Sequence, residues 1–484
     1  MSALSYLCQG ISTSSQTGPD QEINQLCFDS RKALPGSLFF AIPGTQVDGH
    51  QFLDQVYAQG CTAWVVQQVP ANIPDDVTCI QVPDSNEALA DISCVFYGHP
   101  SRSLQLIGIT GTNGKTTSVT LLFELFKSLG HRCGLISTVV NKIQDRIIPA
   151  THTTPDAMHL NALLAEMLAD GCTHVFMEVS SHAVVQKRIH GLQFKGAIFS
   201  NITRDHLDFH ETFDAYIKAK KGFFDALPAG SFALTNVDDK RGTVMLQNTR
   251  AKKYSYGLLN SADYKAKIIS NGIAGLQLDF EGKAMHAQLI GTFNAYNLLA
   301  IYATAMLLGE DQEEVLVQMS ALKTAPGRFD QLAGPNGKMG IVDYAHTPDA
   351  LENVLKTIQA IRSKNQRIIT VVGCGGNRDA GKRPIMAELA ARYSDVVILT
   401  SDNPRFEDPE DILNQMEAGI PADSREKVDR ISDRKTAIFT AIQQKAGVGD
   451  IILVAGKGHE TYQDIQGHKS DFDDKKVISE AFEA

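Results

Sequence analysis

The residues best suited to chemistry sit in one short run, Gly111-Thr112-Asn113-Gly114-Lys115-Thr116-Thr117. Glycines let backbone N–H groups approach a phosphate, a helix starting just after them favours an anion, and Lys115 adds a point charge. Thr116 can place its hydroxyl on Mg²⁺. Ile109 stands where the strict G-x-x-x-x-G-K-[ST] pattern asks for its first glycine, so this is a shortened form of the same device. A plain strand-to-helix turn would account for the glycines but not for Lys-Thr-Thr at the helix start. Glu178, at the end of the apolar run HVFMEV, is either an oxygen ligand for Mg²⁺ or a solvated strand-end carboxylate. Lys220 lies beside Lys218 and Lys221, where a solvated charge cluster is the simplest account. Asp402-Asn403-Pro404-Arg405 follows the strand-like DVVILTS, as a binding loop or an ordinary Asx-Pro turn.

Each of these positions requires an element to hold it. The apolar run LQLIGIT leads into the glycine loop, and SVTLLFELFKSLG continues from it to Gly130. A strand passing through a glycine loop into a helix is the βα unit of a nucleotide-binding sheet. HRCGLIS, HVFMEVS, FKGAIFSN and SFALTN supply further strands between helical stretches, which predicts a mostly parallel sheet. A helical pattern over 212–227 carries Lys220. Beyond the Pro-Gly turn in KTAPGRF, the runs KMGIVDYA, RIITVVG, DVVILTSD and DIILVAG alternate with helices and predict a second, Rossmann-like domain. Ahead of the loop, SLFFAI, TAWVV and TCIQV with helical patterns over 50–60 and 85–97 predict a small module.

The expected fold is therefore α/β in three domains: a small N-terminal α/β module (1–99), a central P-loop domain on a mostly parallel sheet (100–330), and a C-terminal Rossmann-like domain (331–484). A length of 484 residues agrees with about 150 residues per domain. Composition is that of a globular protein, 43% hydrophobic and 21% charged, which excludes disordered and fibrous classes. The net charge of −10 without a long basic run disfavours nucleic acid. The apolar stretch 297–309 is shorter than the roughly 20 residues of a membrane span and reads as a buried helix. The first fifteen residues lack the basic and apolar regions of a secretory signal, so a cytoplasmic location is expected. Eight cysteines without a C-x-x-C pair or metal-like spacing give little support to a disulfide framework or a zinc site.

Further segments accompany the phosphate loop: HTTPDA (152–157), MEVSSHAVVQKRIHG (177–191), NITRDHLDFH (201–210), AYIKAKKGFF (215–224) and DYAHTPDAL (343–351). Together with GTNGKTT they closely resemble the Mur ligase family, ATP-dependent amide-forming enzymes of peptidoglycan precursor synthesis, from Asp29 to Glu460. GCGGNRD, DNPR and GKGHE are similar to the branch that adds the third peptide residue to UDP-MurNAc-L-Ala-D-Glu. The chemistry is self-consistent: a carboxylate meets an amine in water only after activation, and transfer of the ATP γ-phosphate gives an acyl phosphate that an amine can attack. Holding those anions together calls for Mg²⁺ and fixed cations.

The resemblance implies roles by position. Gly111 to Thr117, Asn294, Asn297, Arg328 and Asp343 match the ATP contacts. Thr116, Glu178 and His206, inside DHLD with Asp208, match Mg²⁺ ligands. Lys220, or by sequence alone equally Lys221, matches a lysine carbamylated by CO₂ (N6-carboxylysine); the spacing Tyr216-x-x-Ala219-Lys220 favours Lys220. A carbamate offers anionic oxygens to Mg²⁺ where an ammonium would repel it. Lys115, Lys220, Glu178 and His206 are thus the expected catalytic set. Ser30, in Asp29-Ser30-Arg31, with Thr153, Thr154, Ser180, Gln186 and Arg188, matches positions that grip the UDP-MurNAc-dipeptide. Arg378, Asp402, Asn403, Pro404, Arg405, Gly456 and Glu460 match those holding the incoming amino acid.

In the family branch this chain resembles, DNPR is the form found with meso-diaminopimelate, which implies that donor here: its distal carboxylate can pair with Arg405 bidentately, whereas lysine leaves that guanidinium unpaired. The expected partners are UDP-MurNAc-L-Ala-D-Glu, meso-diaminopimelate and ATP, with no obligate protein partner. Rivals are the same chemistry with L-lysine, the neighbouring ligase that adds D-Ala-D-Ala, and more distantly a folylpolyglutamate synthetase, which the N-terminal DSR segment argues against. A P-loop switch would show a base-recognition motif such as N-K-x-D, and none is present.

Overall fold

The computed structural model describes residues 2–44, 47–205 and 207–484, with the side chains of 207 and 208 left aside. Its largest sheet has nine strands in the order Arg146–Pro149, Val140–Ile143, Cys133–Ile136, His174–Glu178, Gln105–Thr110, Gly196–Phe199, Phe232–Asn236, Lys252–Gly257 and Tyr264–Lys265. The pairings are parallel from Cys133–Ile136 onward, while Val140–Ile143 pairs antiparallel with both of its neighbours, Cys133–Ile136 and Arg146–Pro149. Both faces are covered, so the inner strands read as continuous apolar runs. Helices Lys115–Ser128 and Thr292–Leu308 lie in one face's core, and Ala157–Ala169 and Phe213–Asp225 in the other's. Thr292–Leu308 is the buried helix expected of NLLAIYATAMLLG, and Gly309 stops it at φ 92°, a left-handed cap glycine adopts without penalty.

Before this sheet, Gln25–Cys27, Ser37–Phe40, Ala63–Val66 and Thr78–Gln81 pair in parallel, with Ser15–Thr17 antiparallel at the edge. After it, Met339–Asp343, Ile451–Ala455, Ile368–Val372, Val396–Leu399 and Val428–Arg430 form a parallel sheet edged by antiparallel Asp330–Ala333. The α/β expectation and the strands named from sequence are all present. Features not anticipated include an antiparallel sheet of Lys267–Gly272, Gly275–Phe280 and Lys283–Ala287, the Val140–Pro149 hairpin, and a hairpin of Tyr462–Ile465 with His468–Asp471. No helix among the described residues is long and apolar enough to cross a membrane. All eight cysteines are free, and only Cys8 is not buried.

Candidate active site

Parallel strands place their carboxyl ends together, and ligands of open α/β sheets bind there. Strand Gln105–Thr110 runs into the glycine loop, and helix Lys115–Ser128 starts at Gly114 (φ 87°) with no side chain capping it. Its first N–H groups are left for an anion. Both glycines are required for packing: a Cβ on Gly111 would lie 2.0 Å from Ser200 Oγ, and one on Gly114 2.6 Å from Asn297 Oδ1. Ser200 Oγ and Asn201 Nδ2 donate to the Asn113 carbonyl at 2.7 and 3.0 Å, and Asn113 N donates to Asn201 Oδ1 at 2.9 Å. The loop is thereby fixed from the neighbouring strand.

Lys115 curls over this loop, donating to the carbonyls of Gly111 (3.0 Å) and Thr112 (2.9 Å). Burial holds its pKa below the usual lysine range, against the pull of Glu178 and Asp205. Thr116 Oγ1 accepts from Arg328 Nη2 at 3.2 Å, and the Arg328 guanidinium stacks 4.7 Å over Tyr344 with Nε buried and unpartnered. Asn297 lines the cleft, while Asn294 is a buried link: it donates to the Ile290 carbonyl (2.8 Å) and accepts from Asn297 (3.1 Å). Asp343 Oδ2 accepts from Phe329 N at 2.7 Å, and burial pushes its carboxyl up to about 6.

Glu178 is fully buried at the end of its strand. Oε1 accepts from Thr138 N at 2.8 Å, and Oε2 has no partner. Leaving a buried carboxylate oxygen unsatisfied costs about 1–3 kcal/mol or more, which a cation would offset. Lys220 and Lys221, equivalent in sequence, separate sharply in space. Lys220 is 1% exposed, donates to the Gly111 carbonyl at 2.7 Å and sits 4.7 Å over the Tyr216 ring. Lys221 instead pairs with Asp225 at 2.7 Å, one turn further along the same helix. Burial, helped by Lys115, drives the Lys220 pKa well below the lysine range. A hard, oxygen-loving cation fits the Glu178 oxygen and the Thr116 hydroxyl. His206 lies outside the described residues.

The cleft has a volume of about 1130 Å³, and its walls include Thr112 to Thr117, Glu178, Lys220, Thr153, Thr154, Ser180, Arg188, Arg328, Asp343 and Arg378. Thr154 is completely buried and donates to the Glu178 carbonyl at 2.8 Å, so it also shapes the strand end. Thr153 Oγ1 accepts from Thr138 at 3.1 Å. Ser180 caps helix Ser181–Val185, accepting from Ala183 N at 3.2 Å. Arg188 donates to the Thr154 carbonyl (2.7 Å) and by two nitrogens to Gln186 Oε1 (2.9 and 2.6 Å), so Gln186 orients it. Ser30, Gln186, Asn294, Asp402 to Arg405, Gly456 and Glu460 stand outside the cleft's walls among the described residues.

The second group of C-terminal residues forms its own cluster. Asn403 Nδ2 donates to Glu460 at 2.7 Å, and buried Lys457 donates to Asn403 Oδ1 (3.0 Å) and Glu460 (3.4 Å). Gly456 has φ 116°, and a Cβ there would lie 2.4 Å from Asp402 Oδ2. Pro404 turns the chain, its carbonyl accepting from Glu407 N at 3.0 Å. Arg405 adopts φ 53°, where a non-glycine residue costs about 1–2 kcal/mol. The unanticipated hairpin holds it there, through Arg405 N to the Asp464 carbonyl (3.0 Å) and Gln466 N to the Arg405 carbonyl (2.6 Å), while Nη1 donates to the Gly376 carbonyl (2.7 Å).

Sequence reasoning passed over two residues of this region. Lys457 was hidden inside GKGHE. Asp349, at the start of helix Pro348–Ile361, accepts from Asn113 Nδ2 (2.9 Å) and Thr203 Oγ1 (3.0 Å), and so joins the phosphate loop to the last sheet's first helix. Its only signal was membership of the quoted segment DYAHTPDAL.

Three family models match: "Mur ligase family, catalytic domain" over 22–97, "Mur ligase middle domain" over 109–305, and "Mur ligase, glutamate ligase domain" over 327–458. A UDP-N-acetylmuramoyl-L-alanyl-D-glutamate--2,6-diaminopimelate ligase of Cytophaga hutchinsonii is 58% identical over 99% of this chain and 98% of its own. The enzyme of that name from Geobacillus kaustophilus is 41% identical over 96% of each. A solved structure of a ligase with this name superposes with a TM-score of 0.69 at 34% identity, covering 96% of this chain and 95% of its own. MurF from Acinetobacter baumannii shares the fold at a TM-score of 0.65 and 17% identity, over 99% and 98%. The chain belongs to the Mur ligase family.

Proposed function

We propose that this chain is the ATP-dependent ligase that joins meso-diaminopimelate to UDP-MurNAc-L-Ala-D-Glu in peptidoglycan precursor synthesis, acting in the cytoplasm. Supporting this are the relatives' shared name over nearly the whole chain and, as the single carrying observation, the convergence of Glu178 and Lys220 on the phosphate loop that holds Lys115. Residues 1–99 would hold the uridine end, 100–330 ATP and the reacting carboxylate, and 331–484 the amine donor.

The γ-phosphate passes to the dipeptide carboxylate, ADP leaves, and the amine then attacks the acyl carbon and expels phosphate. Lys115 and the uncapped helix start balance the charge spread over the transferred group. Arg328 secures the side of the nucleotide facing the last domain, and Arg188, held by Gln186, meets an anionic part of the dipeptide substrate. Mg²⁺, held by Thr116, Glu178, His206 and Lys220 as its carbamate, would neutralise phosphate charge. A buried amine of depressed pKa is the form that attacks CO₂, which supports Lys220 as the carbamylated residue.

Arg405 and Arg378 supply guanidinium groups for the donor's carboxylates, and Asn403, Glu460 and Gly456 shape the rest of its pocket. The Arg405 cluster borders the cleft, since Arg405 Nη1 and Arg378 Cγ lie 2.9 and 3.9 Å from where a Cβ on Gly375 would stand, and closure of the last domain on the central sheet would complete the site. The test is phosphate release from ATP with UDP-MurNAc-L-Ala-D-Glu, comparing meso-diaminopimelate, L-lysine and D-Ala-D-Ala. Stoichiometric release with the first alone supports the reading, and equal rates with lysine overturn the donor assignment.

A further inference from the structure

Away from the cleft, three side chains that the ligase chemistry does not use converge: His131, His174 and Glu310. Their ligating atoms lie within 4.8 Å of one another. His131 Nε2 is 2.9 Å from Glu310 Oε1, and the two imidazole centroids are 4.4 Å apart. His174, 8% exposed, is oriented by Thr173 Oγ1, 2.9 Å from its Nδ1, which leaves Nε2 as the nitrogen to offer a ligand. Phe126 packs against both rings at 5.4 and 5.0 Å, so the pair is supported by the core.

We propose that His131, His174 and Glu310 form a binding site for a zinc-type transition-metal dication. Two imidazoles and one carboxylate are a recurrent three-residue zinc set, with water completing a tetrahedron. Nitrogen donors select Zn²⁺, Co²⁺ or Ni²⁺ over Mg²⁺, which prefers oxygen. The Thr173 hydroxyl on His174 Nδ1 is the outer partner that fixes ring orientation in such sites. The ion takes the place of the His131–Glu310 contact, and small side-chain rotations bring the ligating atoms to bonding distance.

The location gives this site a consequence. His131 follows helix Lys115–Ser128, His174 starts strand His174–Glu178, and Glu310 follows helix Thr292–Leu308. At their other ends the same three elements carry Lys115, Glu178 and Asn297. With 14 residues in the first helix and 1.5 Å per residue, the ion lies roughly 20 Å from the phosphate loop. It adds one shared tie to three elements already linked at this end by packing, by the His131–Glu310 contact and by the Thr173 and His174 N–H groups donating to the Arg132 carbonyl (2.8 and 3.4 Å), and it stabilises the folded state by mass action.

The experiment uses the full chain, stripped with a chelator and then given Mg²⁺ and a non-hydrolysable ATP analogue to fill the cleft. Zn²⁺ is titrated against a chromophoric chelator, and Co²⁺ is added separately for its tetrahedral absorption bands. The unmodified protein should bind one tight equivalent, show those bands and melt higher with Zn²⁺. Glu310→Gln and His131→Ala, at the two less buried positions, should lose affinity by ~100-fold or more, beyond the 10–100-fold of outer-shell changes, and lose the melting shift. Retained circular dichroism and Mg²⁺-dependent phosphate release establish that the variants fold. No tight equivalent in the unmodified protein, or the same affinity in both variants, overturns the proposal.

Discussion

Replacing Lys220 by alanine removes three methylenes and the amine from a pocket that is 1% exposed and opens beside the phosphate loop. If the carbamate is a metal ligand in the reacting complex, the loss resembles removal of one preorganised electrostatic contact, about 10²–10³ in kcat. The neighbouring lysine supplies the control, because Lys221→Ala removes only an i,i+4 pair with Asp225, worth about 0.3–0.5 kcal/mol, and should turn over at nearly the unmodified rate. Phosphate release is measured with all three substrates saturating, in CO₂-depleted buffer and again with bicarbonate. The unmodified enzyme should gain rate with bicarbonate. Lys220→Ala should ignore bicarbonate and recover partly with acetate or formate, which fit the space the side chain vacates. Thermal melts check that the variant stays folded. Full activity in Lys220→Ala, or an equal loss in Lys221→Ala, would refute the reasoning.

Arg405→Ala should lower kcat/KM for meso-diaminopimelate by ~10² or more while leaving ATP binding intact, by analogy with sites built around one polar group; an unchanged ratio of diaminopimelate to lysine use would count against the role given to this guanidinium. Asp343 has a folded-state pKa of about 6 against 3.8 ordinarily, so the stability linked to its protonated form is present below about 4 and lost as pH rises through about 6. At 1.36 kcal/mol per unit that is up to about 3 kcal/mol. Asp343→Asn should therefore stabilise the unliganded protein at about pH 8 and much less at about pH 4, at the expense of activity; the reverse order in denaturant titrations would contradict the assignment. Arg434 and Asp474 form a fully buried pair with two contacts of 2.8 Å. Asp474→Ala strands the guanidinium and should cost about 3–5 kcal/mol in chemical denaturation, and a loss below about 1 kcal/mol would show that solvent reaches the pair.

Chemistry written in contiguous residues was legible from sequence. The loop 111–117 announced itself because phosphate binding needs small residues, a helix start and a cation in unbroken succession, and local spacing is what a sequence displays. The same holds for the buried strands, whose apolar runs reflect a sheet covered on both faces, and for Glu178, placed by its position at a strand end. The antiparallel sheet over 267–287 escaped because polar residues interrupt its alternation, as in KIISNG, leaving no strong period to follow.

Contacts between distant segments required the tertiary structure. Lys220 and Lys221 are adjacent and chemically identical, and only the direction each leaves the helix sends one to the Gly111 carbonyl and the other to Asp225. Asp349 became a strut between the phosphate loop and the last sheet, and the Arg405 backbone was held in a left-handed turn by a hairpin some sixty residues on. Residues 131, 174 and 310 share no motif, and their meeting follows from where two helices end and a strand begins. Sequence by itself determined the family, the ATP-dependent chemistry it performs and the residue types that serve it. The fold decided which copy of each type faces the cleft, because direction and burial, and with them charge state, arise only when segments far apart in the chain pack together.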